Sequence, residues 1–145
     1  MKITEVPIQL LPIENDGFHI LVQGKINRKK ALFLVDTGAS RSVFDQHGIK
    51  KFLNKATFEE NERLSTGLGT NTMPSLVTEI ASISFGHLVI KDYTAIAIDL
   101  KHVFESYDKL GLPAIDGILG GDILLTYRCV INYGKRTLKL YEKNK

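Results

Sequence analysis

Apolar and polar positions alternate with a period of two along most of the chain, and long 3.6-period stretches are missing. Phe18 to Ile26 and Ala31 to Val35 are apolar-rich runs on either side of the polar segment Asn27-Arg28-Lys29-Lys30, which predicts a β-hairpin. Leu76 to Phe85 and Leu88 to Leu100 flank Gly86-His87 and predict two longer strands. Ile90, Ile96 and Ile98 stand there among small or polar residues, as on a half-buried sheet. Cys129 to Tyr133 and Thr137 to Tyr141 flank Gly134-Lys135-Arg136 and predict a third hairpin. Helical signals are short. Ser42-Val43-Phe44-Asp45 has the spacing of a capping box and predicts a helix of a turn or two before Gly48. Lys101 to Leu110, stopped by Gly111 and Pro113, predicts a second helix, and Asp122 to Tyr127 a third. Many short strands with few helices predict a mainly β domain closed as a small barrel or sandwich.

Composition narrows the class. With 145 residues the chain fits one domain spanning 1–145, long enough to bury a core without metal or disulfide staples. A hydrophobic share of 43% excludes a disordered tail or a collagen-like fibre. Cys129 is the single cysteine, which excludes an intrachain disulfide framework and a Cys-rich zinc site. The net charge of +3, without a long like-charge block, gives no case for nucleic acid as a partner. No apolar run reaches the ~18 residues of a membrane span, so no membrane partner is expected. Glu5 and Pro7 interrupt any signal-peptide core in the first residues, so the expected compartment is the cytoplasm.

The chemistry concentrates in ALFLVDTGAS, residues 31–40. Five apolar residues end at Asp36, and Thr37 and Gly38 come next. A buried strand therefore delivers a carboxylate to a turn whose glycine permits close backbone approach. Beside a hydrophobic layer, desolvation is expected to raise the Asp36 pKa. Taken alone, Asp-Thr-Gly is also an ordinary turn composition. A second segment, AIDGILGGDILL over 114–125, sets Ile118 and Leu119 before Gly120 and a short helix.

The two segments together resemble the retropepsin-like aspartic proteases of bacterial type. That family pairs a hydrophobic strand ending in Asp-Thr-Gly with a later strand of two apolar residues and glycine, followed by a short helix. The resemblance covers about residues 17–141 and is sharpest over Leu34–Ser40 and Ile118–Gly120. It implies a closed acid-protease barrel with one lobe per chain. It also implies a catalytic Asp36-Thr37-Gly38 triplet, with Ser40, Ile118 and Gly120 at the substrate site. A glycine-containing flap is implied over LSTGLGTNTM, residues 64–73, with Gly67, Leu68 and Gly69 touching substrate. No tyrosine stands in that segment, whereas many family members carry an aromatic there. Residues 46–63 and 87–111 are longer than in minimal viral members.

Peptide hydrolysis by carboxylates needs a base for water and an acid for the departing amine. Asp-Thr-Gly occurs once, so one chain supplies half of such a site. The resemblance then implies a homodimer as partner, with Asp36 of each copy sharing one water and Thr37 hydroxyls bonding across the two-fold axis. A peptide or protein substrate would add as an extended strand. No cofactor or metal is implied.

Three rivals are weighed against this reading. A haloacid-dehalogenase-type phosphotransferase needs a second Asp two residues after the first, where Gly38 stands. Nucleotide binding lacks a complete glycine motif, since Thr72 stands where a third glycine is needed after Gly67 and Gly69. A catalytically weak peptide-binding or dimerisation module of the same fold is the non-enzymatic alternative. Asp116, before Gly117, reads as a residue that turns the chain into its strand. His19, His47, His87 and His102 are scattered and read as surface or turn residues, and Cys129 reads as a small core residue.

Overall fold

The structure is a computed structural model that describes residues 1–13, 17–53, 59–60 and 75–143. Ten strands are found among the described residues: β1 Lys2–Pro12, β2 Phe18–Ile26, β3 Lys29–Val35, β4 Val43–Asp45, β5 Glu59–Glu60, β6 Leu76–Phe85, β7 Leu88–Ile98, β8 Gly117–Leu119, β9 Val130–Asn132 and β10 Thr137–Glu142. Two α-helices, α1 Lys101–Lys109 and α2 Gly121–Thr126, join them, with a 3₁₀ turn over Gly48–Phe52. The strands run in the order β5-β6-β7-β4-β8-β3-β2-β1-β10-β9. A further pairing of β6 with β2 closes the six strands between them into a barrel. The mainly β, closed-barrel reading of the sequence holds.

The β2–β3 hairpin turns on Asn27 and Arg28, both at positive φ (49° and 70°), the geometry whose twist suits a two-residue hairpin. Within the barrel Phe33, Phe44 and Phe85 are fully buried. Their rings meet edge-on or tilted, 5.0 Å apart for Phe33–Phe85 and 6.1 Å for Phe33–Phe44. A second, smaller core of Leu11, Leu21, Tyr107 and Ile115 lies on the other face of β2, under α1.

Two segments depart from the sequence reading. The predicted helix at Ser42 is instead strand β4, wedged antiparallel to β8 and parallel to β7. Ser42 is drawn away from a capping role by Gly120 and Asp122. Asp45, at the end of β4, accepts the Gly48 N–H at 2.9 Å and the Leu100 N–H at 3.1 Å. The N-terminal segment, not assigned to any element from sequence, is the eleven-residue strand β1. Its first half pairs with β10 and its second with β2, and Pro7 stands at the exchange. A missing N–H is tolerated where a strand changes partners.

The candidate active site around Asp36

Strand β3 lies between antiparallel β2 and parallel β8, paired Phe33 with Gly117, Leu34 with Ile118 and Val35 with Leu119. Its ladder extends one bond further, the Asp36 N–H donating to the Leu119 carbonyl at 3.0 Å. The chain then turns sharply. Gly38 N–H donates to Asp36 Oδ1 at 2.9 Å, and Ala39 N–H to the Asp36 carbonyl at 3.1 Å. A Cβ on Gly38 would lie 3.3 Å from that same carboxylate oxygen, so the glycine keeps the loop tight around the acid.

Residues 36–42 cross the end of β8 before entering β4, and the crossing is close. A Cβ on Gly120 would come within 2.6 Å of the Arg41 backbone and 2.9 Å of the Ala39 carbonyl oxygen. Only glycine fits between them. The Gly121 N–H donates to the Ala39 carbonyl at 2.8 Å, and the Gly120 N–H to Ser42 Oγ at 2.8 Å. Ser42, buried, donates from both its N–H and its hydroxyl to Asp122 Oδ1, at 2.8 and 2.7 Å. Tyr93 OH, from β7, donates to Asp122 Oδ2 at 2.6 Å.

Burial works to raise the Asp122 pKa, but the hydrogen bonds from Tyr93 and Ser42 overcome it and hold the carboxyl below the ordinary aspartate value. Burial first, then the bond to Asp122, pushes the Tyr93 phenol well above its usual range. The pair is thus a carboxylate and a neutral phenol. The sequence does not single out the Ser42–Asp122–Tyr93 network. It marks Asp122 only as the start of a helix, and the acid's partners lie 80 and 29 positions away.

Asp36, Thr37, Gly38 and Ser40 are exposed. The expected desolvation of Asp36 is therefore not provided by one chain, because the loop stands at the open end of the barrel with the apolar residues of β3 behind it. Asp36 and Thr37 instead border an open cleft of about 430 Å³ whose walls include Phe18, His19, Ile131 and Tyr133. Phe18 and Tyr133 are 62% and 58% exposed, so the rim beside the acid is apolar and uncovered. Ile118 and Gly120 are buried behind the loop and do not border this cleft. Gly67, Leu68 and Gly69, expected on a flap, lie outside the described residues.

Asp116 turns the chain into β8 as expected: its N–H donates to the Leu32 carbonyl, and its Oδ2 accepts the Leu32 N–H, both at 2.8 Å. Its other oxygen pairs with Lys51 at 2.7 Å. His19 differs from its reading as a surface or turn residue. It lies within β2, half-buried, with Nδ1 hydrogen-bonded to Tyr107 OH. Cys129 is half-buried against the main core, and burial pushes its thiol up to about 11.

A family profile described as aspartyl protease matches residues 22–123, which include the Asp36 loop, β8 and Gly120. The chain belongs to the aspartyl protease family. Its fold is shared by the crystal structure of a retropepsin-like aspartic protease from Rickettsia conorii, with a TM-score of 0.59 at 19% identity, over 97% of this chain and 92% of that one. The retroviral protease-like domain of Ddi1 from Leishmania major is also similar, with a TM-score of 0.55 at 17% identity, over 87% of this chain and 90% of that one. No curated protein sequence matches. This aspartyl protease family member thus has the retropepsin-like fold in a single lobe.

Proposed function

We propose that the protein is an aspartic endopeptidase that works as a homodimer, hydrolysing peptide bonds between the Asp36 carboxylates of two copies. The observation that carries this reading is the placement of Asp36. It is exposed at the mouth of a cleft, with one oxygen held by the Gly38 N–H and the loop braced from below through Gly120 and Ser42. Family membership supports the reaction class.

A second copy meeting the first along the apolar rim of Phe18 and Tyr133 would cover that rim and bring the two acids together. Two carboxyls at close range share one proton, because both cannot ionise. The ionised one takes a proton from water as its oxygen attacks the peptide carbonyl carbon. The protonated one donates to the carbonyl oxygen, giving a tetrahedral diol. Collapse of the diol breaks the C–N bond as the nitrogen takes a proton from the protonated carboxyl and a diol hydroxyl returns one to the ionised carboxylate, so acid and amine products leave and the dyad keeps one proton.

The test is cleavage of a diverse peptide library across about pH 4–7, the range in which carboxyls of raised pKa usually titrate, with Asp36→Asn as control and sedimentation to read the oligomeric state. Cleavage by the wild type and none by the variant is expected. Absence of cleavage at every pH would favour the peptide-binding or dimerisation module, and a strictly monomeric active enzyme would remove the shared dyad.

A further inference from the structure

Outside the Asp36 loop, one polar side chain of the cleft is fixed by a distant element. β2 and β3 pair Ile20 with Val35, both facing the main core, and Leu21 with Leu34 on the opposite face. Next along the chain from the Ile20–Val35 pair, His19 and Asp36 both line the same cleft. The His19 ring is anchored from the other side. Helix α1 drops Tyr107 into the smaller core against Leu11 and Leu21, and the phenol reaches His19 Nδ1. Burial raises the Tyr107 pKa, so the hydroxyl keeps its proton.

A phenol that donates to Nδ1 leaves the imidazole proton on Nε2. We propose that Tyr107 of α1 donates to His19 Nδ1, and that His19, which lines the same cleft as Asp36, is thereby a substrate-binding residue that offers Nε2–H to an acceptor oxygen of the bound peptide. The consequence is selectivity for peptides carrying Asp, Glu, Asn or Gln at one fixed position near the scissile bond. For the identity of its ligand as a peptide, this assignment rests on the protease reading above. The role of α1 is positional: none of its described residues lines the cleft, and it reaches the cleft through the ring that it orients.

Two measurements test it. Ring ¹⁵N NMR of the wild type at pH 8, where an ordinary histidine is neutral, is expected to show the Nε2–H tautomer, and Tyr107→Phe a mixture. A wild-type Nδ1–H tautomer overturns the proposal. Library cleavage by the wild type, His19→Gln and His19→Leu reads the selectivity. The wild type is expected to favour an acceptor side chain at one position by about tenfold, the scale of one hydrogen bond. His19→Gln, which keeps an N–H donor, should retain most of that preference. His19→Leu should lose it through KM, with kcat little changed. Equal loss in both variants, or none in His19→Leu, overturns the assignment. If the wild type cleaves nothing, the protease reading falls by itself. Binding of the same acceptor-bearing and acceptor-free peptides then decides on His19: a tenfold difference in Kd sustains it and equal affinities overturn it.

Discussion

Asp36 and Asp122 stand on either side of one crossing of the chain, and the fold treats them in opposite ways. Asp122 is half-buried at the start of α2, with its oxygens taken by the Ser42 N–H and hydroxyl and by the Tyr93 phenol. Asp36 is exposed, with one oxygen held by its own loop through Gly38. The first carboxylate is used up in holding β4, β7 and α2 together around Gly120. The second is left with capacity to meet water, substrate or another carboxyl. An acid is made available by building a rigid, fully bonded acid behind it.

Substitutions that treat the two acids alike should therefore have unlike effects. On the proposed mechanism Asp36→Asn is expected to lower kcat/KM by at least about 10³-fold, since the dyad would lose its base, while chemical denaturation shows nearly unchanged stability. A destabilised Asp36→Asn protein would break the contrast. Gly120→Ala comes next. Its new Cβ would sit 2.6 Å from the Arg41 backbone, which cannot move aside like a flexible side chain. A stability loss of about 3 kcal/mol is expected from overpacking at such a contact, and urea unfolding measures it.

Asp122→Ala strands a buried serine and the Tyr93 phenol without their acceptor. A loss of about 2–3 kcal/mol is expected from unpaired buried donors, with activity falling in step with the folded fraction. The sign of the pH effect is fixed by the lowered Asp122 pKa. The stabilisation is fully present above the ordinary value of 3.8 and disappears as pH falls from there through the lower folded value. Melting temperature should therefore drop below about pH 4 in the wild type, and this drop should be shallower in Asp122→Ala. Equal acid slopes in the two proteins would show that Asp122 is not the group responsible.

The smallest effect concerns Cys129. With its thiol pushed up to about 11, it should react far more slowly with a thiol reagent at pH 8 than the same chain in urea. Alkylation of Cys129 to completion, if forced, should leave Asp36 chemistry intact, since the residue lies beside β9 against the main core rather than on the cleft.

The parts legible in the sequence are those whose physics is local. Apolar runs over Phe18–Val35 and alternation over Leu76–Ile98 mark strands because each has at least one face on a core, and the glycine and polar turns between them close hairpins. Asp36-Thr37-Gly38 and Ile118-Leu119-Gly120 are each short runs, and they become a pair through the resemblance to the retropepsin-like aspartic proteases. β1 escapes because only Thr4, Val6, Ile8 and Leu11 are buried in it, one of them polar, and because Pro7 weakens a strand reading unless the change of partner is known. β4 escapes for a similar reason. Ser42 to Asp45 has the composition of a helix start, and only β7 and β8 on either side make it a strand.

By itself the sequence determined that this chain is a β-rich single lobe with one Asp-Thr-Gly turn at the end of an apolar strand, since strand period and turn chemistry are written in neighbouring residues. The tertiary structure alone decided which acid is consumed by the scaffold and which is left open, and that His19 faces the cleft under the hold of Tyr107. Those outcomes depend on groups 29 to 88 positions apart being brought within hydrogen-bonding distance, and no local pattern encodes such a meeting.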